Sequence, residues 1–317
     1  MQALRNFFPL DVALLTLTAV SLPVYALLVR VLVRERANPK LRSSFFLLAS
    51  CLGAADIAAA LVRYAMHRAP YWGVGVRWLF LPNARWLAVA VSCVDLPLMT
   101  AENLGLLLVA LNRATAVISP SRYELIWSRR NTWLFVAATL ALSMWAAPAA
   151  IFYTKPFYYS ADNFTAVIRT EPAHSNKVLS PVDSLLVILA VCYVSAVVSV
   201  VRHNWTTKAS QTDGASGKRQ ANNAELRLAV CGFTLFLTHA LLASAYVSFL
   251  LQLVDYTTGG IIWLVAMDLF CYINPYSLLL MSTETRRQFV RALGCVAAPN
   301  AASSLAANRR VVESNAR

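Results

Sequence analysis

The chain has 317 residues, of which 58% are hydrophobic and only 14% are charged, and its mean hydropathy is +0.56. Soluble globular proteins carry about 25% charged residues, so this composition excludes a soluble globule and indicates a membrane protein. The net charge of +13 does not indicate a nucleic-acid partner, because the basic residues stand in short groups between long apolar runs.

Seven apolar windows fit along the chain, each long enough to supply the roughly 20 residues that cross about 30 Å of hydrocarbon. No repeat or low-complexity tract interrupts the series, so residues 1–295 are predicted to form one all-α domain, a seven-transmembrane helix bundle. Residues 296–317 are expected to form a disordered tail. The predicted spans are 11–33, 43–66, 84–117, 131–153, 180–203, 224–251 and 258–282.

The basic residues between the spans predict the orientation, since cytoplasmic loops carry an excess of Lys and Arg. With the N-terminus outside, the inner segments contain 20 of the 28 basic residues and the outer segments contain eight. The C-terminus is therefore expected in the cytoplasm. A sequon at Asn163 falls in a predicted outer loop and is a candidate glycosylation site, whereas the sequon at Asn204 falls inside and should stay unmodified.

A short amphipathic helix is predicted directly after the last span, over residues 283–294. Its Phe289 and Leu293 are expected to lie on lipid, while three arginines of the same segment face the headgroups. Cys295 follows this helix and is a candidate for palmitoylation, with an unmodified thiol as the alternative.

Charged side chains inside the predicted spans cost about 3 kcal/mol each on insertion scales, so each needs a partner or a cavity. In the third span Asp95 and Glu102 are seven residues apart, and Arg113 follows eighteen residues after Asp95. At about 100° per residue, all three lie on one helix face. That face is expected to point into the bundle.

In the second span Asp56 and Arg63 also share a face, and Arg63 is expected to neutralise Asp95 or Asp268 across an outer cavity. Two interpretations are open for these residues. In the structural one, Asp56 and Glu102 belong to an intramembrane polar core that fixes helix register. In the functional one, Asp95, Arg63 and Asp268 line a ligand pocket, and Asp95 suits a cationic ligand if Arg63 leaves it unpaired.

The seventh span contains the run "DLFCYINPYSLLLMS". Pro275 removes one backbone hydrogen bond there, and Asn274 is placed to cap the freed groups, which predicts a hinge near the inner surface. A structural kink without a hinge function is the alternative.

The loop "NRATAVISPSRYELIWSRR", with "SSFFLLASCLGAADI" and "CYINPYSLLLMS", resembles the nematode serpentine chemoreceptors of the Srg superfamily, class gamma or class V. These are G-protein-coupled receptors, and the resemblance extends from about residue 11 to residue 295. It implies a receptor in the plasma membrane of a sensory cell that requires no cofactor. Such a receptor binds a small chemical in the outer half of the bundle and couples to a heterotrimeric G protein inside.

By the same resemblance, Arg113 stands where rhodopsin-like receptors carry the arginine of their Asp-Arg-Tyr motif, and Asn112 replaces the acid. This implies that polar groups at neighbouring helix ends hold Arg113 at rest and that it faces the G protein in the active state. Tyr123 and Trp127 are assigned to the same switch and G-protein face. Trp127 is also expected at the level of the lipid headgroups.

Other classes of membrane protein fit less well. A ligand-gated ion channel with inverted seven-span topology is disfavoured by the distribution of basic residues. A small-molecule transporter would show two related halves with paired broken helices, which the sequence lacks. The four histidines are scattered, with neither a His-x-x-x-His nor a Gly-x-Ser-x-Gly motif, so no catalytic residue, metal site or enzyme activity is predicted.

Overall fold

The computed structural model describes residues 2–38, 41–69, 85–145, 147–148, 154–158, 166–170, 237, 244 and 256–294. In chain order the elements are α1 (Gln2–Arg34), a 3-10 turn (Glu35–Ala37), α2 (Ser44–Arg63), a π turn (Tyr64–Arg68), α3 (Arg85–Ile118), α4 (Pro120–Ile126), α5 (Arg129–Ser143), β1 (Thr154–Tyr158), β2 (Ala166–Thr170), α6 (Tyr256–Met281) and α7 (Thr283–Ala292).

Three of the described helices are long and apolar enough to cross a membrane, namely Pro9–Ala37, Ser44–Met66 and Val89–Ala116. A fourth candidate is a bent pair, in which Val265–Met281 meets Thr283–Ala292 at 103°. These segments fall on the first, second, third and seventh predicted spans, and α5 begins close to the predicted start of the fourth. The predicted fifth and sixth spans lie outside the described residues, apart from two helical positions at 237 and 244.

Small residues let the first three spans approach one another closely. A Cβ atom added to Gly53 of α2 would lie 2.8 Å from ring carbon Cε2 of Tyr25 and 2.8 Å from Cγ2 of Val29, both on α1. On α3, Gly105 faces Leu52 in the same way, with Cδ1 at 3.1 Å. Lipid offers no hydrophobic drive for helix association, so such close backbone packing supplies much of the stability.

The main apolar core lies in the half of the bundle where α1 and α3 end. Its largest fully buried members include Tyr25, Leu28 and Phe45, and the α4–α5 junction contributes Trp127 to it. Phe289 of α7 packs into this core and is only 9% exposed, so the expectation that it lies on lipid was wrong. The cause is the 103° bend after α6, which lays one side of α7 across the end of the bundle.

The short amphipathic helix predicted after the last span is present as α7. The Ser282 hydroxyl caps its start by accepting a hydrogen bond of 3.2 Å from the backbone N–H of Thr285. Arg286 and Arg287 are exposed, whereas Gln288 is buried next to Phe289. The segment ends at Gly294, whose φ of 75° is readily adopted only by a residue without a side chain.

A two-stranded antiparallel hairpin is an addition to the predicted all-α fold. It pairs β1 with β2, with Pro156 opposite Ile168 and Phe157 opposite Val167. It stands in the loop after the predicted fourth span, and β1 lies against α3.

Candidate functional site

Buried and half-buried polar side chains of the described residues form four clusters along the bundle. We call the end where α1 begins the outer end and the end where α3 finishes the inner end, after the predicted orientation. From outer to inner, the outer cluster contains Asp11, Tyr64, Arg68 and Asp268; the ion-pair cluster contains Arg63, Asp95 and Glu102; the middle cluster contains Tyr25, Asp56 and Asn274; and the inner cluster contains Ser44, Asn112, Arg113 and Tyr123.

The outer cluster joins α1, the π turn and α6 through one arginine. Arg68 places Nη1 2.7 Å from Oδ1 of Asp11 and Nη2 2.8 Å from Oδ2 of Asp268. The Tyr64 hydroxyl donates a third bond of 3.2 Å to Asp268. Asp268 is therefore bound by Arg68 and not by Arg63, which corrects one of the two pairings that the sequence suggested.

The π turn explains this exchange of partners. Its backbone closes with a hydrogen bond from the N–H of Ala69 to the carbonyl of Tyr64, five residues back. In an α-helix, residues five apart differ by about 140° in direction. An i to i+5 turn reduces this difference in direction, and both arginines are buried in the bundle.

The ion-pair cluster places Arg63 against both acids of α3. Its Nη2 and Oε2 of Glu102 are in direct contact, and Nη1 is 3.4 Å from Oε1. Nη1 also donates to Sγ of Cys271 at 3.1 Å, and Nε lies 3.6 Å from Oδ1 of Asp95. The expected pairing of Arg63 with Asp95 is thus present, but Glu102 is the closer acid. The predicted shared face of Asp95 and Glu102 is what lets one arginine contact both.

The middle cluster connects three spans through Asp56. The Tyr25 hydroxyl of α1 donates a hydrogen bond to Oδ2 of Asp56, and the side-chain amide of Asn274 donates to the same oxygen at 3.2 Å. That amide also bonds to the Tyr25 hydroxyl at 2.6 Å. Asn274 thus bridges helices instead of capping its own, and α6 runs through Pro275 without interruption. Oδ1 of Asp56 is buried and has no hydrogen-bond partner among the described residues.

In the inner cluster, the described partners of Arg113 are neutral groups. Its Nη2 donates to Oδ1 of Asn112 at 2.8 Å and to the Tyr123 hydroxyl of α4 at 3.2 Å. Asn112 donates in turn to the Ser44 hydroxyl of α2 at 2.9 Å, and the Ser44 and Tyr123 hydroxyls share a bond of 2.7 Å. The guanidinium also lies 4.3 Å from the ring centroid of Phe45, a cation–π distance. The amide oxygen of Asn112 therefore occupies the place of the acid in the Asp-Arg-Tyr motif of rhodopsin-like receptors.

Trp127 supports this cluster from the side. It is only 6% exposed, its indole N–H donates to the Thr115 hydroxyl at 2.5 Å, and its ring meets Phe135 edge-on at 5.3 Å. The ring is therefore part of the protein core. The expectation that Trp127 lies at the level of the lipid headgroups was wrong. The exposed side chains of this loop include Arg122, Glu124 and Leu125.

Several participants could not be identified from hydropathy. Arg68 and Asp11 sit near helix ends, where charges are ordinary, and Tyr25, Ser44 and Phe45 look like routine span residues. Only their spacing relative to partners on other helices gives them a role. The candidate glycosylation site at Asn163 and the candidate palmitoylation site at Cys295 lie outside the described residues. Among the residues that the structure does describe, no group of three or more His, Cys, Asp or Glu side chains could bind a metal ion.

Long apolar helices, polar clusters on their inward faces and an arginine held at the inner end of the third span are the features of a seven-span membrane receptor. Residues 14–295 match the model of the serpentine type 7TM GPCR chemoreceptor Srv family, and the chain belongs to that family. It is 26% identical over 290 residues to Serpentine receptor class V-1 of Caenorhabditis elegans, and the match covers 88% of each protein.

The family membership confirms the seven-transmembrane fold class and a nematode chemosensory receptor of the membrane. Of the two classes that the sequence left open, class V is the one that matches. The wider placement in the Srg superfamily stays a prediction. The family is one of receptors and not of enzymes.

Proposed function

We propose that this receptor binds a small chemical in the outer half of its bundle and activates a heterotrimeric G protein at its inner end. The inner end then faces the cytoplasm, and the protein works in the plasma membrane of a sensory cell. The observation that carries this proposal is the inner cluster, in which neutral acceptors and one aromatic ring hold Arg113. The contacts to Asn112, Tyr123 and Phe45 are each of a strength that ligand binding can offset.

The energies support a reversible hold. A neutral hydrogen bond contributes about 0.5–1.5 kcal/mol net, one to a charged group about 1.5–3, and an arginine–aromatic contact about 0.5–2. Moving a two-state bundle from 1:99 to 99:1 requires about 5.5 kcal/mol of ligand preference. For the three described contacts, to Asn112, Tyr123 and Phe45, the cost of release is therefore of the same order as the preference that a ligand can supply.

On the ligand side, we propose the ion-pair cluster and Asp268 as the place where binding is detected. Arg63 makes two contacts to Glu102 but a single, longer one to Asp95. A polar ligand group that competes for Arg63 or Asp95 shifts this balance without first breaking the tighter pair. Asp95 and Glu102 share a helix with Arg113, so a rotation or shift of α3 connects the two ends.

Basal coupling offers a test that needs no known ligand. We would express each variant in cells and record G-protein dissociation by resonance energy transfer across a panel of Gα subunits, normalised to surface expression. Tyr123→Phe keeps the ring but removes the hydroxyl that contacts Arg113, so basal coupling should rise. Arg113→Ala should abolish coupling. Arg122→Ala, which changes an exposed arginine of the same loop, is the matched control.

The two variants distinguish the resting contacts of Arg113 from its proposed contact with the G protein. If Tyr123→Phe and Arg113→Ala both leave coupling at the wild-type level while wild type signals above mock-transfected cells, Arg113 is not the switch. If wild type itself shows no coupling to any Gα subunit, the same cells are screened with a chemical library, and ligand-evoked current without G-protein dissociation overturns the proposal.

The orientation has its own test, in two full-length variants that each keep one sequon. The proposal expects a glycosidase-sensitive mobility shift in the variant that keeps Asn163 and none in the variant that keeps Asn204. The reverse pattern would invert the protein, remove the inner cluster from the cytoplasm and favour the channel of inverted topology. We also propose palmitoylation of Cys295, which predicts hydroxylamine-sensitive labelling that Cys295→Ser removes.

A further inference from the structure

The inner end carries an arginine, Arg36, whose charge is not balanced by any described acid. Arg36 belongs to the 3-10 turn after α1, and its guanidinium carbon reaches 5.7 Å from the ring centroid of Trp133 on α5. Its Nε atom is buried and has no hydrogen-bond partner among the described residues. No described carboxylate lies within 4 Å of it. A buried, unsatisfied guanidinium N–H is costly, so an acceptor is expected there.

Two more arginines stand on the same strip of α5. Arg129 and Arg130 precede Trp133 by four and three residues, which places all three side chains along one side of the helix. Both arginines are exposed, and the first turn of α5 contains no acid. Cations at a helix start oppose the macrodipole by about 0.3–1 kcal/mol each, so helix stability does not explain their presence.

Exposed apolar side chains of α5 continue from Trp133. Trp133 is 42% exposed, and Leu134 and Leu140 further along α5 are 58% and 49% exposed. These side chains suit hydrocarbon, whereas the indole suits the border between hydrocarbon and headgroups. A ligand that suits this surface therefore combines an anionic group at the level of Arg36 with apolar chains beside α5.

We propose that Arg36, Arg129, Arg130 and Trp133 bind the headgroup of an anionic phospholipid that carries phosphate monoesters. Three guanidinium groups match a headgroup with more than one negative charge, and each can hold two phosphate oxygens at once. The indole supports Arg36 from below, and the acyl chains run along Leu134 and Leu140. A soluble inositol phosphate would satisfy the arginines but leave the apolar part of the site uncovered.

The test uses the full-length receptor in nanodiscs of phosphatidylcholine that contain a trace of fluorescent phosphatidylinositol bisphosphate. Binding is read as energy transfer from the lipid to a dye at the receptor C-terminus and is titrated with unlabelled lipid. Arg36→Gln removes charge-assisted hydrogen bonds to phosphate, so it should weaken binding about tenfold. Arg129→Gln combined with Arg130→Gln should weaken it more. Arg122 is an exposed arginine at the same end that lies outside the proposed site, so Arg122→Gln should change binding by less than about twofold.

Several outcomes would overturn the proposal. One is wild-type affinity in Arg36→Gln or in the double variant, and another is an equal loss in Arg122→Gln, which would mean general surface charge. If unlabelled phosphatidylserine at matched charge competes as strongly as unlabelled phosphatidylinositol bisphosphate, the site does not require a phosphate monoester. Equal competition by soluble inositol trisphosphate would point to a free phosphate site. Because Arg36 is partly buried, Arg36→Lys serves as a second variant. Lysine keeps the positive charge but lacks the paired N–H donors of the guanidinium group. We expect an affinity between those of the wild type and Arg36→Gln.

Discussion

Removing Arg63 tests the ion-pair cluster most directly. Arg63 is 6% exposed, and Glu102, its closest partner, is 1% exposed. Among the described residues, Arg63 is the only cation within 4 Å of Glu102. In Arg63→Leu the carboxylate is left buried without that cation, and breaking a buried pair in this way costs about 3–5 kcal/mol. Against a total stability of about 5–15 kcal/mol, this is a large fraction.

The order of the stability losses among the variants is more informative than any single value. Glu102→Gln keeps an oxygen acceptor for Arg63 and leaves Asp95 at 3.6 Å, so it should cost less than Arg63→Leu, about 1–3 kcal/mol. The double variant, with leucine at both Arg63 and Glu102, removes both charges of the pair and should recover about half of the loss or more. Arg122→Leu on the exposed loop should stay within about 0.5 kcal/mol of wild type.

The assay is a heating series in detergent, with the folded fraction of a fluorescent fusion measured by size-exclusion chromatography. For Arg63→Leu the expected fall in apparent Tm is on the order of 10 °C. A fall of less than about 2 °C, or a double variant that is worse than Arg63→Leu alone, would mean that the buried pair does not stabilise the bundle as described. A double variant that is stable but fails to signal would assign the pair a role in function and not only in folding.

Three further substitutions test the packing and the caps. Gly53→Ala places a Cβ 2.8 Å from Tyr25 and Val29, so we expect a loss of about 1–3 kcal/mol in the same heating series, and a loss no larger than that of Gly105→Ala would contradict it. Ser282→Ala removes the cap of α7 and should cost about 1 kcal/mol, seen as faster amide exchange in α7 while exchange in α3 stays unchanged. Trp127→Phe removes the hydrogen bond to Thr115 and should lower stability by about 1 kcal/mol. An unchanged Tm in this variant, together with strong fluorescence quenching in the wild type, would show that the indole is exposed and not buried.

The sequence was sufficient for the features that depend on one helix at a time. Hydropathy located the first three spans and the last one, and the seven-residue spacing put Asp95 and Glu102 on one inward face. The amphipathic pattern after the last span likewise predicted α7. These features repeat along a single element, so a periodicity reveals them.

Features that depend on two helices at once were not predictable in this way. The partner of Asp268 is Arg68 because the π turn changes the direction of that side chain, and a helical wheel assumes that no such turn exists. Asn274 bonds across to Tyr25 because α1 lies beside it, not because Pro275 frees a carbonyl. Trp127 is buried because the α4–α5 junction folds back on the core, which a loop composition does not reveal.

The π turn also bears on how relatives of this protein should be compared with it. A π turn contains one residue more than the α-helical turn that it replaces, so it marks the place where an insertion or deletion of a single residue changes the least. In an ungapped alignment with a relative that lacks the extra residue, every position up to Arg63 is matched correctly. Positions from Arg68 onward are displaced by one residue. A gap placed within Tyr64–Arg68 restores the correspondence, whereas an ungapped alignment would compare Arg68 with a residue that points out of the bundle.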